Sequence, residues 1–141
     1  MAPDKIRENV YISDQYDAER YGGEFDHVIT LTRDDGPTEG VGSHEHTDVH
    51  MPLYDSGETS YIALQNAIDK AVSLIAEDDG YVLVHCNAGI SRSATVIIAA
   101  LAIIDGSSWH DTFTEVKNAR NGIVPNPELK DMALRIIDNY Q

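Results

Sequence analysis

Between Tyr81 and Ile104 the chain carries two consecutive segments that have no polar face. Val82, Leu83 and Val84 form an unbroken apolar run, whereas a strand with one side in water would alternate apolar and polar residues. Ser91 to Ile104 is apolar nearly all round, so as a helix it must be buried, and Asp105-Gly106 closes it. Both segments are satisfied together only inside a layered fold, with the strand in the middle of a sheet and the helix packed between that sheet and further elements.

The flanking segments supply those layers. Val10 to Ile12 reads as a short strand, and Ser13 and Asp14 are candidate caps for a helix through Asp17 to Tyr21 that stops at Gly22-Gly23. Val28, Ile29 and Leu31 predict a buried strand from His27 to Leu31, then a loop from Asp34 to Gly42 and a second strand from Asp48 to Leu53. Tyr61, Leu64, Ile68, Val72 and Ile75 recur at helical spacing, and Asp78, Asp79 and Gly80 end that helix. Ser108 opens another, with Asp111 as its capping-box partner, Trp109, Phe113 and Val116 facing inward and Asn121-Gly122 as its end. Asn126 as cap and Pro127 at the first position begin a terminal helix whose buried stripe is Leu129, Met132, Ile136 and Tyr140. Strands alternating with helices predict an α/β fold with a mainly parallel central sheet flanked by helices, in a single domain over 1–141.

Charge narrows the partners. With 24 Asp and Glu against 10 Lys and Arg the net charge is -14, and no basic run interrupts it. Nucleic acid and anionic membrane surfaces are repelled at long range, so neither is expected as a partner. Such acidity suits a high-salt interior in which self-repulsion is screened, and a halophilic source is one reading; an ordinary acidic protein is the other. Residues 1–13 lack the apolar stretch of a signal peptide, and the longest apolar run, Val96 to Ile104, is too short to span a bilayer. The single cysteine, Cys86, excludes an intrachain disulfide and agrees with a reducing compartment, so the cytoplasm is the expected location. Oligomeric state is left open.

Ligands of parallel sheets bind at the carboxyl ends of the strands. There the chain reads His85-Cys86-Asn87-Ala88-Gly89-Ile90-Ser91-Arg92-Ser93. The residues Asn87, Ala88, Gly89, Ile90 and Ser91 can wrap so that successive amide N–H groups converge on an oxyanion, with Gly89 permitting the backbone turn. The amino end of the following helix adds partial positive charge. Those donors and Arg92 favour the thiolate of Cys86 and so make it a nucleophile. Arg92 can hold two phosphoryl oxygens in a fork, and Ser93 can donate its hydroxyl toward the sulfur. His85 should point away from Cys86 and bond to backbone behind the loop.

The pattern His-Cys-x-x-Gly-x-x-Arg-Ser resembles the signature of the cysteine-based protein phosphatases, and Ser91-Arg92-Ser93-Ala94-Thr95 looks most like the dual-specificity branch. Asn9-Val10-Tyr11-Ile12, His27-Val28-Ile29 and Pro125-Asn126-Pro127 are similar to other segments of that family, so the likeness covers most of the chain. It implies hydrolysis of phosphate monoesters, with phosphorylated protein as substrate, a thiophosphate intermediate on Cys86, and no metal or other cofactor. It also implies a general acid in a loop upstream of the cysteine. Asp55, 31 residues before Cys86 in Tyr54-Asp55-Ser56-Gly57, fits; Asp48, at the start of a predicted strand, is the rival. His44, His46 and His50 are read as loop residues rather than a metal site, and Arg120 as a surface-helix arginine, with help in binding substrate anions beside the pocket as the alternative. Ala99-Ala100-Leu101-Ala102 departs from the family's common aromatic-containing stretch, which leaves the substrate open. Asn87, Ala88, Ile90 and Ser91 are neutral where phosphoinositide-directed relatives carry lysines. A small phosphorylated metabolite, or a catalytically silent phosphopeptide-binding role, remain the alternatives.

Overall fold

The computed structural model describes residues 2–33, 47–77 and 80–140. In chain order they form β1 (Asp4–Arg7), β2 (Val10–Ser13), α1 (Gln15–Tyr21), a 3-10 turn (Gly22–Glu24), β3 (His27–Thr30), β4 (Thr47–His50), α2 (Tyr61–Glu77), β5 (Val82–His85), α3 (Arg92–Asp105), α4 (Trp109–Ala119) and α5 (Pro127–Asn139). The expected α/β architecture is present. The sheet runs β1-β2-β5-β3-β4, parallel throughout except for the antiparallel β1-β2 edge. All four residues of β5 are buried, as the unbroken apolar run requires of a central strand.

Alternation along the strands assigns the two faces. Val10, Ile12, Ile29, Val82 and Val84 join the main core with α2, α3, α4 and α5, while Leu83 and Val28 meet Ala18 of α1 and Phe25 on the other side. Residues 93–102 of α3 are all buried, so α3 is the axis around which the remaining helices pack. Its end is closed by Gly106 in the left-handed conformation (φ 66°), whose N–H reaches the carbonyls of Ala102 and Ile103. Asp14, Ser108 and Asn126 cap α1, α4 and α5 through their side chains. Among the described residues no helix is long and apolar enough to cross a membrane.

Two expectations need amendment, and one strand was not foreseen. β1 has no apolar signature; the strand is an edge whose Arg7 bonds Asp105 at the end of α3 and Glu115 of α4, so its placement depends on charges distant in sequence. β4 ends at His50 rather than Leu53, because Pro52 has no N–H to continue a ladder, although the Met51 and Leu53 amides still reach the carbonyls of Thr30 and Leu31. Tyr140 leaves the buried stripe of α5: it is 45% exposed, and its hydroxyl donates to Asp69. The loop expected over 34–42 and the helix stop at Asp78-Asp79 lie outside the described residues.

The pairing is level at its carboxyl end. Ser13 of β2 and Thr30 of β3 both stand opposite His85 of β5, so three strands finish side by side beneath the segment that begins at Cys86. Since α3 organises the core above that edge, Leu101→Ala, at a fully buried position, should lower the unfolding free energy by about 2–5 kcal/mol. Urea denaturation of the two chains checks this.

Candidate active site

The loop between β5 and α3 is shaped by where its carbonyls go. Asn87 O accepts from the Gln15 amide at 2.9 Å and Ile90 O from the Val124 amide at 2.7 Å. Ala88 O and Gly89 O both accept from the Arg120 guanidinium, at 3.1 and 2.8 Å. Four successive carbonyls are therefore held outward by protein donors. The peptide bonds among the described residues are all trans, so in this loop each N–H points opposite the carbonyl of the preceding residue. The amides of Ala88, Gly89, Ile90 and Ser91 consequently face the inside of the loop, where they form a concave set of donors for an anion.

Gly89 makes that curvature possible. Its φ is +72°, and a Cβ there would lie 2.5 Å from the Ser13 carbonyl oxygen and 2.9 Å from an Arg120 nitrogen. Behind it, Arg120 caps the end of α4 and pairs with Asp4 of β1 at 2.9 Å. The expected surface arginine is thus a mostly covered brace, its side chain 17% exposed and its fork spent on the loop's own carbonyls. Sequence reading missed this role because the partners are carbonyls, which no residue pattern encodes.

Ser91 is the second node. It occupies the N-cap position of α3 but makes no side-chain cap bond, because its hydroxyl is engaged elsewhere. Ser91 Oγ donates to Asp55 Oδ1 at 2.5 Å and accepts from the Asn126 amide at 2.9 Å. Asn126 in turn caps α5 and donates from Nδ2 to the Asp55 carbonyl at 3.2 Å. One hydroxyl therefore joins the loop, the Asp55 turn and the start of α5, and the first-turn amides of α3 are left without a side-chain cap.

The predicted site residues converge here. Cys86 is 2% exposed, and its Sγ lies 3.3 Å from Ser93 Oγ, the contact anticipated for a hydroxyl that steadies the sulfur. Arg92 opens α3 and anchors one nitrogen on the Leu53 carbonyl at 3.1 Å. Together with Asn87, Asp55, Tyr54, Arg33 and Thr32 it lines a cleft of about 310 Å³. Arg33, stacked 3.8 Å over the Tyr54 ring, is a wall residue that sequence reading did not single out. Asp48 lies in β4, paired with Val28, whereas Asp55 lies in the cleft. His44 and His46 fall outside the described residues; His50 donates to the Thr32 carbonyl.

Residues 10–136 match the family model of the dual specificity phosphatase catalytic domain. The chain belongs to the dual-specificity phosphatase family. It is 37% identical over 130 residues to a protein of Invertebrate iridescent virus 6 named as a tyrosine phosphatase, covering 89% of this chain and 85% of that one. To mouse dual specificity protein phosphatase 19 it is 34% identical over 83 residues, 59% of this chain but only 38% of the mouse protein. The fold matches human DUSP28 with a TM-score of 0.81 at 19% identity, covering 99% of this chain and 95% of that one.

In this phosphatase His85 sits beneath the loop with Thr30, sharing a 2.8 Å bond between its Nε2 and the Thr30 hydroxyl in addition to a hydrogen bond with the Cys86 backbone. Burial pushes its imidazole down to about 4, with the Cys86 backbone acting weakly in the other direction, so the ring is neutral in the folded protein. An unfolded chain protonates it near the ordinary 6.5. Its stabilising contribution is therefore complete above that value and is lost as pH falls toward 4, at up to about 1.4 kcal/mol per unit. The unfolding free energy of His85→Gln should fall less steeply than that of the wild type between these limits, a difference that separates His85 from the many carboxylates. For the loop itself, Gly89→Ala should reduce kcat/KM on an aryl phosphate by at least about 100-fold while secondary structure persists, measured by initial rates and circular dichroism.

Proposed function

We propose that this phosphatase hydrolyses phosphate monoesters of serine, threonine or tyrosine in proteins through a thiophosphate intermediate on Cys86. The observation that carries the reading is the outward anchoring of four loop carbonyls, which turns the four following amides to the inside of the loop that joins Cys86 to the start of α3. A phosphoryl group bound there meets donors that need no reorganisation as charge builds in the transition state.

The steps balance on residues already placed. The Cys86 thiolate attacks phosphorus, and as the S–P bond forms the bond to the ester oxygen breaks. Asp55 gives a proton to that oxygen, which would otherwise leave as an alkoxide or phenoxide. Arg92, fixed by Leu53, lays its free N–H groups on equatorial oxygens. A water then attacks phosphorus, Asp55 takes its proton, and the S–P bond breaks to release inorganic phosphate while the Ser93 hydroxyl donates to the departing sulfur. Ser91 orients Asp55 between the two half-reactions. The neutral loop side chains Asn87, Ala88 and Ile90, and the aromatic wall at Tyr54, favour a phosphorylated side chain over a polyphosphorylated headgroup.

Hydrolysis of an aryl phosphate in the presence of a chelator tests the proposal. Turnover should persist with chelator and vanish in Cys86→Ser. Asp55→Asn should lose about 10²–10⁴-fold in kcat, more on alkyl than on aryl phosphates, because the better leaving group needs less protonation. Chelator-sensitive turnover, or an active Cys86→Ser, would defeat the mechanism. A panel of phosphopeptides and sugar phosphates then decides between protein and metabolite.

A further inference from the structure

The segment Ile123 to Pro127 has two sides. One supports the active site, with the Val124 amide on the Ile90 carbonyl and Asn126 on Ser91 and Asp55. The other is a wall of a groove of about 570 Å³ that runs between α4 and the start of α5. Trp109, Phe113 and Ile123 give the groove an apolar floor, and Lys117 and Lys130 stand at its rim. Lys130 is held over the Trp109 ring at 5.9 Å from its centroid, and Lys117 donates to the Ile123 carbonyl at 3.4 Å.

Charge sets this groove apart from the rest of the surface. The chain has 24 acidic residues, yet among the described residues none lines the groove; Asp111, Glu115, Glu128 and Asp131 belong to the same helices but lie outside the lining. Of its 10 Lys and Arg residues, Arg33, Arg92, Lys117, Arg120 and Lys130 all sit in the cleft, its brace or this groove. Val124, a lining residue that is 64% exposed, bonds through its amide to the carbonyl of Ile90, which is 37% exposed on the loop that leads to the cleft.

We propose that the groove receives the polypeptide next to the phosphorylated residue of a protein substrate, and selects a segment that pairs an apolar side chain with a carboxylate. The apolar residue covers Phe113 and Trp109, and the carboxylate meets Lys130 and Lys117 at the rim. A basic segment would set like charges together, and a purely polar one would leave the floor in water. The proposal rests on the protein-substrate reading above. It also runs against the field of the whole molecule: a net charge of -14 favours basic peptides at long range, so a preference for acidic flanks must originate locally.

The test compares wild type with Lys130→Glu and Lys130→Gln, at an exposed position outside the catalytic machinery, on an aryl phosphate and three phosphotyrosine peptides at low ionic strength. The peptides differ only in their flanks: acidic with a leucine, basic with a leucine, or alanine and glycine. Wild type should favour the acidic peptide over the basic one by about tenfold in kcat/KM, chiefly through KM. Lys130→Glu should reverse that order, Lys130→Gln should fall between, and all three proteins should turn over the aryl phosphate within about twofold of one another. Wild-type indifference to flanks, a wild-type preference for the basic peptide, or a ranking unchanged in Lys130→Glu would overturn the groove alone. Aryl phosphate turnover with no hydrolysis of any peptide, nor of the same peptides made with phosphoserine or phosphothreonine, would overturn the protein-substrate reading and the groove with it.

Discussion

The active site depends on a restriction of the peptide group: its carbonyl and its N–H cannot point the same way. Holding the Asn87, Ala88, Gly89 and Ile90 carbonyls outward is equivalent to aiming the following amides inward. The holding groups come from three places, the start of α1, the end of α4 and the segment before α5. Each bond contributes on the order of 1 kcal/mol, and together they suffice to make one loop shape predominate before any anion arrives. The price of the tight curvature is a position where only glycine fits, with the Ser13 carbonyl directly behind it.

Ser91 shows how the fold ties chemistry to architecture. Leaving its own helix uncapped costs α3 about 1 kcal/mol, a loss that a helix buried along its length can absorb. In exchange, a single hydroxyl sets the distance between the phosphate loop and the Asp55 turn, and it receives the amide of the residue that caps α5. Asp55 is thereby referenced to the same rigid frame as Cys86. Exposed turns on their own rarely hold a side chain that well, and the carboxylate here is positioned by a neighbour that is itself 6% exposed.

What could be read from the sequence was what repeats or stays close. The central strand and α3 announced themselves because segments without a polar face have one place to go. Cys86, Gly89, Arg92 and Ser93 were legible because a strand, a short loop and a helix amino end confine them within a few residues, and the structure brings Cys86 and Ser93 to 3.3 Å. Asp55 was legible through the family likeness, and its bond to Ser91 was not. Arg120 was misjudged because its three partners are two loop carbonyls and an aspartate 116 residues away. β1 was missed for a related reason: an edge strand held by Arg7 to Asp105 and Glu115 has no periodicity of its own. Tyr140 matched the helical spacing of α5, but position alone cannot foretell that a phenol will turn aside to a carboxylate on α2.

The Arg120–Asp4 pair has a consequence for how the enzyme comes into being. Asp4 leaves the ribosome 116 residues before Arg120, and the whole signature from His85 to Ser93 emerges between them. A nascent chain that already carries the cysteine and its arginine still lacks the guanidinium that turns two of the loop's carbonyls outward. The outward set of two loop carbonyls is thus completed only once the end of α4 has closed back on β1, late in the order of synthesis of this domain.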